Sequence, residues 1–312
     1  MRILVVGAGA IGGYFGGRLL AAGRDVTFLV RPKRAAQLAN GGLAIRSPHG
    51  DLDLPSPPTV EAPALRETFD LVLLSCKAYD LEGAIDSFGA AIGPSTAILP
   101  LLNGMRHLDK LDERFGAAHT LGGLCLISST LDAEGRIIHL NDLHNVTFGE
   151  RDNKRSERIA AIAKTLSGAG FDARLSDAIL QDMWDKWTFI ASAAGITCLM
   201  RAAVGDIVAA GGDKFALDLI AECAAIAARK GFPPGEATMQ RIRAMLTAPG
   251  SQMTASMLRD IERGAPIEAD HIVGDLLRRG QAEGVDARLL AIVDAHIRAY
   301  ETRRVRETAP SS

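Results

Sequence analysis

The stretch ILVVGAGAIGGYFGGRL (residues 3–19) joins a short apolar run to a glycine-rich segment. ILVV has the continuous apolar character of a strand that is buried on both faces. GAGAIG fits the pattern GxGxxG, which is informative where it follows a strand and opens a helix. Gly7 permits a tight turn, Gly9 has no side chain to block a pyrophosphate, and Gly12 lets the helix pack close to the sheet. The dinucleotide-binding loop predicted here comprises Gly7, Ala8, Gly9, Ala10, Ile11 and Gly12, and a glycine-rich turn without a ligand is the alternative.

The chain length and composition indicate a globular protein with about two domains. The chain has 312 residues, of which 47% are hydrophobic, and domains usually have roughly 100–200 residues. A formal net charge of −2 gives no case for nucleic acid or an anionic membrane as partner. The apolar stretch Ile190–Met200 is shorter than the ~20 residues that span a bilayer. The N-terminus lacks the layout of a signal peptide, so we expect a soluble, cytoplasmic protein.

The four cysteines are far apart and form no CxxC pair. This spacing argues against a disulfide framework and against a zinc site. We therefore expect reduced thiols and no metal. The cysteines are Cys76, Cys125, Cys198 and Cys223.

The two halves of the chain have different periodicities. In residues 1–175, short apolar runs alternate with intervals long enough for helices, which favours βαβ units and a parallel sheet. The predicted strands are ILVV (3–6), DVTFLV (25–30), DLVLLS (70–75) and TAILPLL (96–102). GRIIHL (135–140) and NVTFGE (145–150) are interpreted as a hairpin across NDLH. A helix is predicted next, over 154–167. The strand FDARL (171–175) follows it and would close the sheet.

Residues 176–312 contain only helical patterns. Glycines at 231, 264 and 284 stand near the predicted helix ends, as helix stops do. The tail TAPSS (308–312) is predicted to be disordered. The predicted helices cover 177–200, 213–230, 235–247, 254–263, 270–283 and 287–306. The alanine-rich helix 213–230 fits either a core or a subunit contact, so a homodimer is possible on this pattern.

The end of the second strand indicates which cofactor the loop binds. NAD-binding chains usually place a carboxylate there to accept hydrogen bonds from the ribose. This chain instead has Arg31, followed by Lys33 and Arg34, and cations suit a 2′-phosphate. The sequence therefore predicts NADP(H) over NAD(H), with a solvated basic turn as the alternative.

Motifs along nearly the whole length resemble those of the ketopantoate reductase (2-dehydropantoate 2-reductase) family. They include the opening ILVVGAGAIGGYFGGRL, SCKAYD (75–80), LLNGM (101–105), GRIIHL and WDKW (184–187). SMLRDIERGAPIEAD (256–270) matches the longest and most specific family pattern. The resemblance implies an α/β fold: a Rossmann-type NADP-binding domain (1–175), then an all-helical substrate domain (176–312) like the C-terminal domain of 6-phosphogluconate dehydrogenase.

The resemblance also implies roles for individual residues in an NADPH-dependent reduction of a 2-oxo acid. Lys186 would donate the proton to the ketone oxygen, and Glu268 would hold a substrate hydroxyl or the nicotinamide ribose. Asn103 would lie by the nicotinamide and the substrate. The remaining assignments are Lys77 and Ser128 for the cofactor, and Ser256 for the substrate carboxylate.

The residue types agree with this chemistry. Hydride reduction of a ketone leaves negative charge on the oxygen, which an ammonium group can stabilise and protonate. Each residue also has an ordinary structural interpretation. Lys186 could be a solvated lysine whose stem passes the tryptophans, and Asn103 could stabilise a turn. Asp270 could cap a helix and receives no catalytic role.

The substrate half departs from the family at three positions. The family commonly has asparagines where this chain has Ile190, Ala194 and Val204. Lost hydrogen bonds to a substrate hydroxyl reduce discrimination strongly. Thr197 could supply a hydroxyl to the face of the helix that carries Lys186. We therefore expect the family chemistry on a substrate that is less polar than ketopantoate. Ketopantoate reduction, toward pantothenate, is the best named activity, and another hydroxy-acid or imine reductase or a non-catalytic NADP(H)-binding protein is the alternative.

Overall fold

The computed structural model describes residues 1–308 and divides into two compact units. The first unit comprises Met1–Leu102 and His107–Ile179. The second comprises the short segment Asn103–Arg106 and the chain from Leu180 onward. The division predicted after residue 175 lies four residues before the observed one at Ile179. No sequence pattern predicts that Asn103–Arg106 groups with the helices.

The first unit contains all ten strands of the described residues. The strands are β1 (Arg2–Val6), β2 (Asp25–Leu29), β3 (Leu43–Arg46), β4 (Leu52–Leu54), β5 (Thr59–Val60), β6 (Leu71–Leu74), β7 (Ala97–Pro100), β8 (Gly122–Leu131), β9 (Ile137–Gly149) and β10 (Asp172–Leu175). Its helices are α1 (Ala10–Ala21), α2 (Pro32–Gly41), α3 (Leu81–Phe88), α4 (Arg106–Phe115) and α5 (Glu157–Leu166). Arg106, the first residue of α4, groups with the second unit.

A five-stranded parallel sheet positions the glycine loop. Its order is β5-β2-β1-β6-β7. The residues of β1 from Ile3 onward and all residues of β6 and β7 are buried, as continuous apolar runs in a covered parallel sheet should be. The four predicted strands of this region are confirmed. The glycine loop follows β1 directly, in the middle of the sheet and at its carboxyl edge.

The second sheet corrects one prediction. GRIIHL and NVTFGE do not form a hairpin, because β9 runs through both as one strand of 13 residues. Its antiparallel partner is β8, with an irregularity between Ile127 and Ser129. Pairing with β8 on both sides of NDLH keeps β9 extended through this segment, although its Asn and Asp are residues that also favour turns. The predicted strand FDARL is present as β10, but it pairs with β9 in this second sheet rather than closing the first.

The second unit is helical throughout its described part. Its helices are α6 (Ile179–Met200), α7 (Val204–Ala209), α8 (Asp213–Arg229), α9 (Glu236–Leu246), α10 (Ser256–Glu262), α11 (Asp275–Ala282) and α12 (Arg288–Thr308), and a π-helical turn spans Asp270–Gly274. α6 includes Ile179, the last residue of the first unit. The predicted helices are present, and α7 was not anticipated. The helix predicted over 270–283 begins as the π turn. Thr308 ends α12, and the rest of the tail predicted to be disordered lies outside the described residues.

Helix α8 contributes its apolar face to the core of the second unit. Buried residues recur along it at the three- and four-residue spacing of one helix face. They are Ala216, Leu219, Ile220, Cys223, Ile226 and Ala227. Glu222 on the same helix accepts hydrogen bonds from the backbone amides of Leu289 and Leu290, at 3.0 and 2.8 Å, and so satisfies the first turn of α12. This face therefore serves the core of its own chain.

Neither a membrane-spanning helix nor a metal cluster is present in residues 1–308. No helix there is long and apolar enough to cross a bilayer. No group of three or more histidine, cysteine or acidic side chains in this part of the chain could hold a metal ion.

The cysteines should differ sharply in reactivity. All four are free; Cys125, Cys198 and Cys223 are buried, and Cys76 is partly exposed. Burial raises the pKa of Cys198 and of Cys223 to about 12, so neither forms a thiolate near neutral pH. Titration of the native protein with a thiol-specific disulfide reagent should show one fast thiol, and four after unfolding. A fast phase that survives in Cys76→Ser would contradict this assignment.

Candidate active site

The glycine loop has the shape that a bound diphosphate requires. Gly7 adopts a φ of +92°, which strains other residues, and its amide donates to the Leu29 carbonyl at 2.9 Å. A Cβ on Gly12 would collide with the Gly7 carbonyl oxygen and the Ser75 hydroxyl. A Cβ on Gly9 would meet open space, and Gly9 is the N-cap of α1. The start of the helix is therefore open to an anion, which fits a pyrophosphate at this position.

Two side chains hold the carbonyls of this loop. Arg34 Nε donates to Ala8 O at 2.9 Å, and its Nη1 donates to Gly135 O at 3.1 Å. Ser129 Oγ donates to Ala10 O at 3.1 Å. Arg34 thus supports the glycine loop, and these contacts direct its guanidinium to main-chain carbonyls rather than to a 2′-phosphate. Sequence patterns gave no signal for Ser129, because a strand serine acquires this contact only through the sheet.

Ser128, the residue next to it, stays a cofactor candidate. It lies at the irregularity in β8, and its backbone amide donates to Asn141 Oδ1 at 2.9 Å. That amide is therefore engaged within the sheet, and the Ser128 hydroxyl is the group left for a ligand contact.

Arg31 forms an ion pair with Asp80, a contact that no sequence motif predicts. Arg31 is the N-cap residue of α2. Its side chain is 74% exposed and pairs with Asp80 at 2.8 Å. Lys77, also exposed, follows β6 and precedes the turn that carries Asp80. An ion pair this exposed contributes roughly 1 kcal/mol or less. Arg31 can therefore exchange Asp80 for a phosphate at small cost.

On α6, Lys186 stands in the sequence between two tryptophans whose indoles are buried. Trp184 and Trp187 are 2% and 1% exposed, and their ring centroids are 4.9 Å apart. Lys186 itself is partly buried. Trp187 Nε1 donates to the carbonyl of Ile272 at 2.8 Å, inside the π turn. The residue beside the lysine thus fixes α6 against that turn.

The π turn also touches the segments that carry Glu268 and Asn103. The Ile272 amide donates to the Glu268 carbonyl at 3.0 Å. The ring of His271 is hydrogen-bonded to the main chain of Asn103. Gly104 has a φ of +74°, and a Cβ on it would lie 2.8 Å from the His271 carbonyl oxygen. Lys186, Glu268 and Asn103 are therefore all connected to one turn of the second unit, which their distant sequence positions do not show.

The environment of His271 keeps its imidazole neutral near pH 7. Burial lowers the pKa of His271. The charges of Glu268 and Asp275 and the hydrogen bond to Asn103 act in the opposite direction, but burial outweighs them.

Asp270 does not cap a helix, which corrects the structural role considered for it. Ala269 precedes the π turn, and no side chain caps that end. The Asp270 carboxylate instead contacts Arg106, Arg278 and Arg298. Burial acts to raise the pKa of Asp270, but these arginines hold it below the usual range.

The structure removes Thr197 from the substrate candidates. Thr197 is fully buried; its hydroxyl donates to Ala193 O at 2.7 Å and accepts from the Ala255 amide at 3.3 Å. It also lies ~16 Å along the helix from Lys186, since each residue rises 1.5 Å. Ser256, in contrast, is exposed as the first residue of α10. Thr197 therefore fixes the chain just before Ser256 rather than facing a ligand.

The three positions where family asparagines are expected are all apolar and mostly buried. Ala194 is 3% exposed and Val204 is fully buried, at the start of α7. Ile190, one turn after Lys186, is partly exposed. The surface of α6 one turn beyond the lysine is therefore aliphatic, at Ile190.

Known proteins resemble this chain along nearly its whole length. Residues 3–153 match the family model of ketopantoate reductase PanE/ApbA, and residues 178–301 match the model of its C-terminal part. The uncharacterized oxidoreductase YkpB of Bacillus subtilis is 39% identical over 305 residues, covering 97% of this chain and 100% of that protein. A 2-dehydropantoate 2-reductase of Mesorhizobium japonicum is 28% identical, covering 90% and 92%.

The fold agrees with that of a solved relative. The crystal structure of 2-dehydropantoate 2-reductase from Methylococcus capsulatus superposes with a TM-score of 0.87 at 27% identity, covering 97% of this chain and 98% of that one. A Rossmann-type domain followed by a helical one is thereby confirmed. Since the two family models together match most of the sequence, this protein belongs to the ketopantoate reductase family of oxidoreductases, which act on CH–OH and C=O groups.

Proposed function

We propose that this protein reduces a 2-oxo acid with NADPH and that Lys186 donates the proton to the product oxygen. The observation that carries the proposal is the shared π turn, which contacts Trp187 beside Lys186, the carbonyl of Glu268 and the main chain of Asn103. A lysine that was only a solvated surface charge would not need such neighbours. This arrangement also disfavours a non-catalytic binding protein.

The residues of the first unit fit a phosphorylated dinucleotide. The open loop around Gly9 and the helix start behind it suit the pyrophosphate. Arg31 follows β2 and Lys77 follows β6, the two strands that flank β1 in the sheet. Both are exposed cations and suit the 2′-phosphate. Ketopantoate reductases use NADPH, which agrees with the predicted cofactor.

Side chains of this protein would stabilise the developing charge, donate the proton and orient the substrate. Bound NADPH supplies the hydride. Negative charge then builds on the former carbonyl oxygen, and the Lys186 ammonium stabilises it and transfers a proton; such general acid catalysis contributes ~10²–10⁴-fold. The Glu268 carboxylate orients a substrate hydroxyl or the nicotinamide ribose, and Asn103 aligns substrate and nicotinamide. The Ser256 hydroxyl donates a hydrogen bond to the substrate carboxylate.

The aliphatic surface near Lys186 supports a substrate that is less polar than ketopantoate. Ile190, Ala194 and Val204 offer no hydrogen bond where the family commonly has asparagines. Ketopantoate nevertheless remains the best named substrate, because the family is defined by that activity. Homodimer formation and a cytoplasmic location stay predictions, and light scattering after gel filtration tests the first.

The lysine can be tested directly. Lys186→Met should lower kcat at least about 10²-fold against the best substrate in a panel of 2-oxo acids, since the general acid is lost. NADPH binding, followed by fluorescence, should stay within about twofold. Lys214→Met is the matched control, because Lys214 is an exposed helical lysine whose partner is Asp218. Equal turnover by wild type and Lys186→Met would refute the proton-donor role.

Substrate selection can be shifted at one residue. Ile190→Asn restores the amide common in the family, so we expect kcat/KM for ketopantoate to rise relative to an aliphatic 2-oxo acid of similar size. The ratio of the two kcat/KM values is the measurement. An unchanged ratio would mean that this position does not face the substrate.

The pair Arg31–Asp80 predicts opposite shifts in cofactor preference. Arg31→Ala removes the cation, so the KM for NADPH should rise while that for NADH changes little. Asp80→Asn removes the competing carboxylate and should lower the KM for NADPH several-fold. If both variants kept the wild-type NADPH/NADH ratio, the 2′-phosphate would bind elsewhere.

A further inference from the structure

We infer that Asp270 and His271, adjacent residues of the π turn, are positioning residues that hold the two ends of the segment Asn103–Arg106. The inference rests on the proposed function in that Asn103 and Glu268 contact cofactor or substrate. It assigns a positioning role to two residues that act through Arg106 and Asn103.

Asp270 holds the Arg106 end. Arg106 Nη1 donates to Asp270 Oδ2, while Arg278 Nη1 donates to Oδ1 at 2.7 Å and Arg298 Nη2 to the same oxygen at 3.3 Å. Arg278 and Arg298 lie on α11 and α12. The Asp270 carboxylate is therefore bound to two helices of the second unit and to Arg106 at the same time.

His271 holds the Asn103 end. Its ring is hydrogen-bonded to the Asn103 main chain, and its carbonyl oxygen and Cδ2 lie where a Cβ of Gly104 would be, at 2.8 and 3.0 Å. His271 is 6% exposed, so it cannot move without repacking.

The π geometry brings these contacts onto one turn. The wider turn is a common local device at functional sites. A Cβ on Gly274, its last residue, would lie 2.8 Å from Asp270 Oδ1 and 3.1 Å from Arg298 Nη2. The turn therefore needs glycine there to keep the carboxylate in place. Trp187 fixes the same turn through the Ile272 carbonyl, so Lys186, Glu268 and Asn103 share one support.

Stability alone does not explain Asp270. Its side chain is 51% exposed, as is that of Arg298, and that of Arg106 is 42% exposed. Half-exposed ion pairs contribute little to folding. Asp294 provides the contrast: its side chain is 10% exposed and pairs with Arg298 of the same helix at 2.8 Å, not with Arg106.

The experiment compares Asp270→Asn, Arg106→Met, their double variant and the control Asp294→Asn. Hydrogen–deuterium exchange of the peptide that contains residues 103–106 should speed up in the first three variants and stay at the wild-type rate in the control. With the best 2-oxo acid, kcat should fall about 10–100-fold in either single variant, because small misplacements at a reacting centre cost that much. NADPH binding should stay within about twofold, and the double variant should lose no more than the worse single one.

A second comparison isolates His271. His271→Gln keeps a hydrogen-bond donor and should retain most of the turnover, whereas His271→Phe should behave like Asp270→Asn. The inference is overturned if the exchange of residues 103–106 does not change, or if Asp294→Asn lowers kcat as much as Asp270→Asn. If the wild-type protein oxidised NADPH with none of the 2-oxo acids in the panel, the proposed function would be overturned instead. The two failures are distinguishable because the exchange measurement does not depend on turnover.

Discussion

The buried hydrogen bond from Trp187 Nε1 to the Ile272 carbonyl is the interaction on which the second unit's site depends. An indole N–H buried without a partner costs roughly 1–3 kcal/mol, so the bond fixes how α6 meets the π turn. Lys186 directly precedes Trp187 on α6, and Glu268 lies two residues before the turn. A single contact between a tryptophan and a main-chain oxygen thus links the segments that carry two candidate catalytic groups. Trp184 and Phe232, stacked at 5.8 Å, pack the same helix.

The cofactor loop depends on a different constraint, which is backbone geometry. Gly7 needs a positive φ, and Gly12 has no room for a side chain. Such requirements are local, so they appear in the sequence as a pattern. Arg34 and Ser129 then hold the loop carbonyls, and these supports come from a helix and a strand that the pattern does not identify.

The sequence predicted the buried strands of the first sheet and the main helices, because burial on both faces or on one helix face leaves a periodic signal. The sequence-based predictions failed where contacts between distant segments of the chain decide the structure. β9 continues through NDLH since β8 offers it an antiparallel partner, and no local residue announces this. Asp270 was interpreted as a cap because aspartate before a helix often is one, yet three arginines from separate segments bind it. Thr197 shares a helix face with Lys186, but its hydroxyl is buried against Ala255.

By itself, the sequence determined the dinucleotide loop, the order of the two domains and the candidate acid, because each depends on residues close together in the chain or on motifs read in order. It also showed that Ile190, Ala194 and Val204 are apolar. Only the tertiary structure decided that Asn103–Arg106 belongs with the helices, that Asp80 pairs with Arg31 and that the π turn contacts the segments carrying Asn103, Lys186 and Glu268. The physical reason is that hydrogen bonds and ion pairs between distant residues depend on packing, which no local pattern encodes.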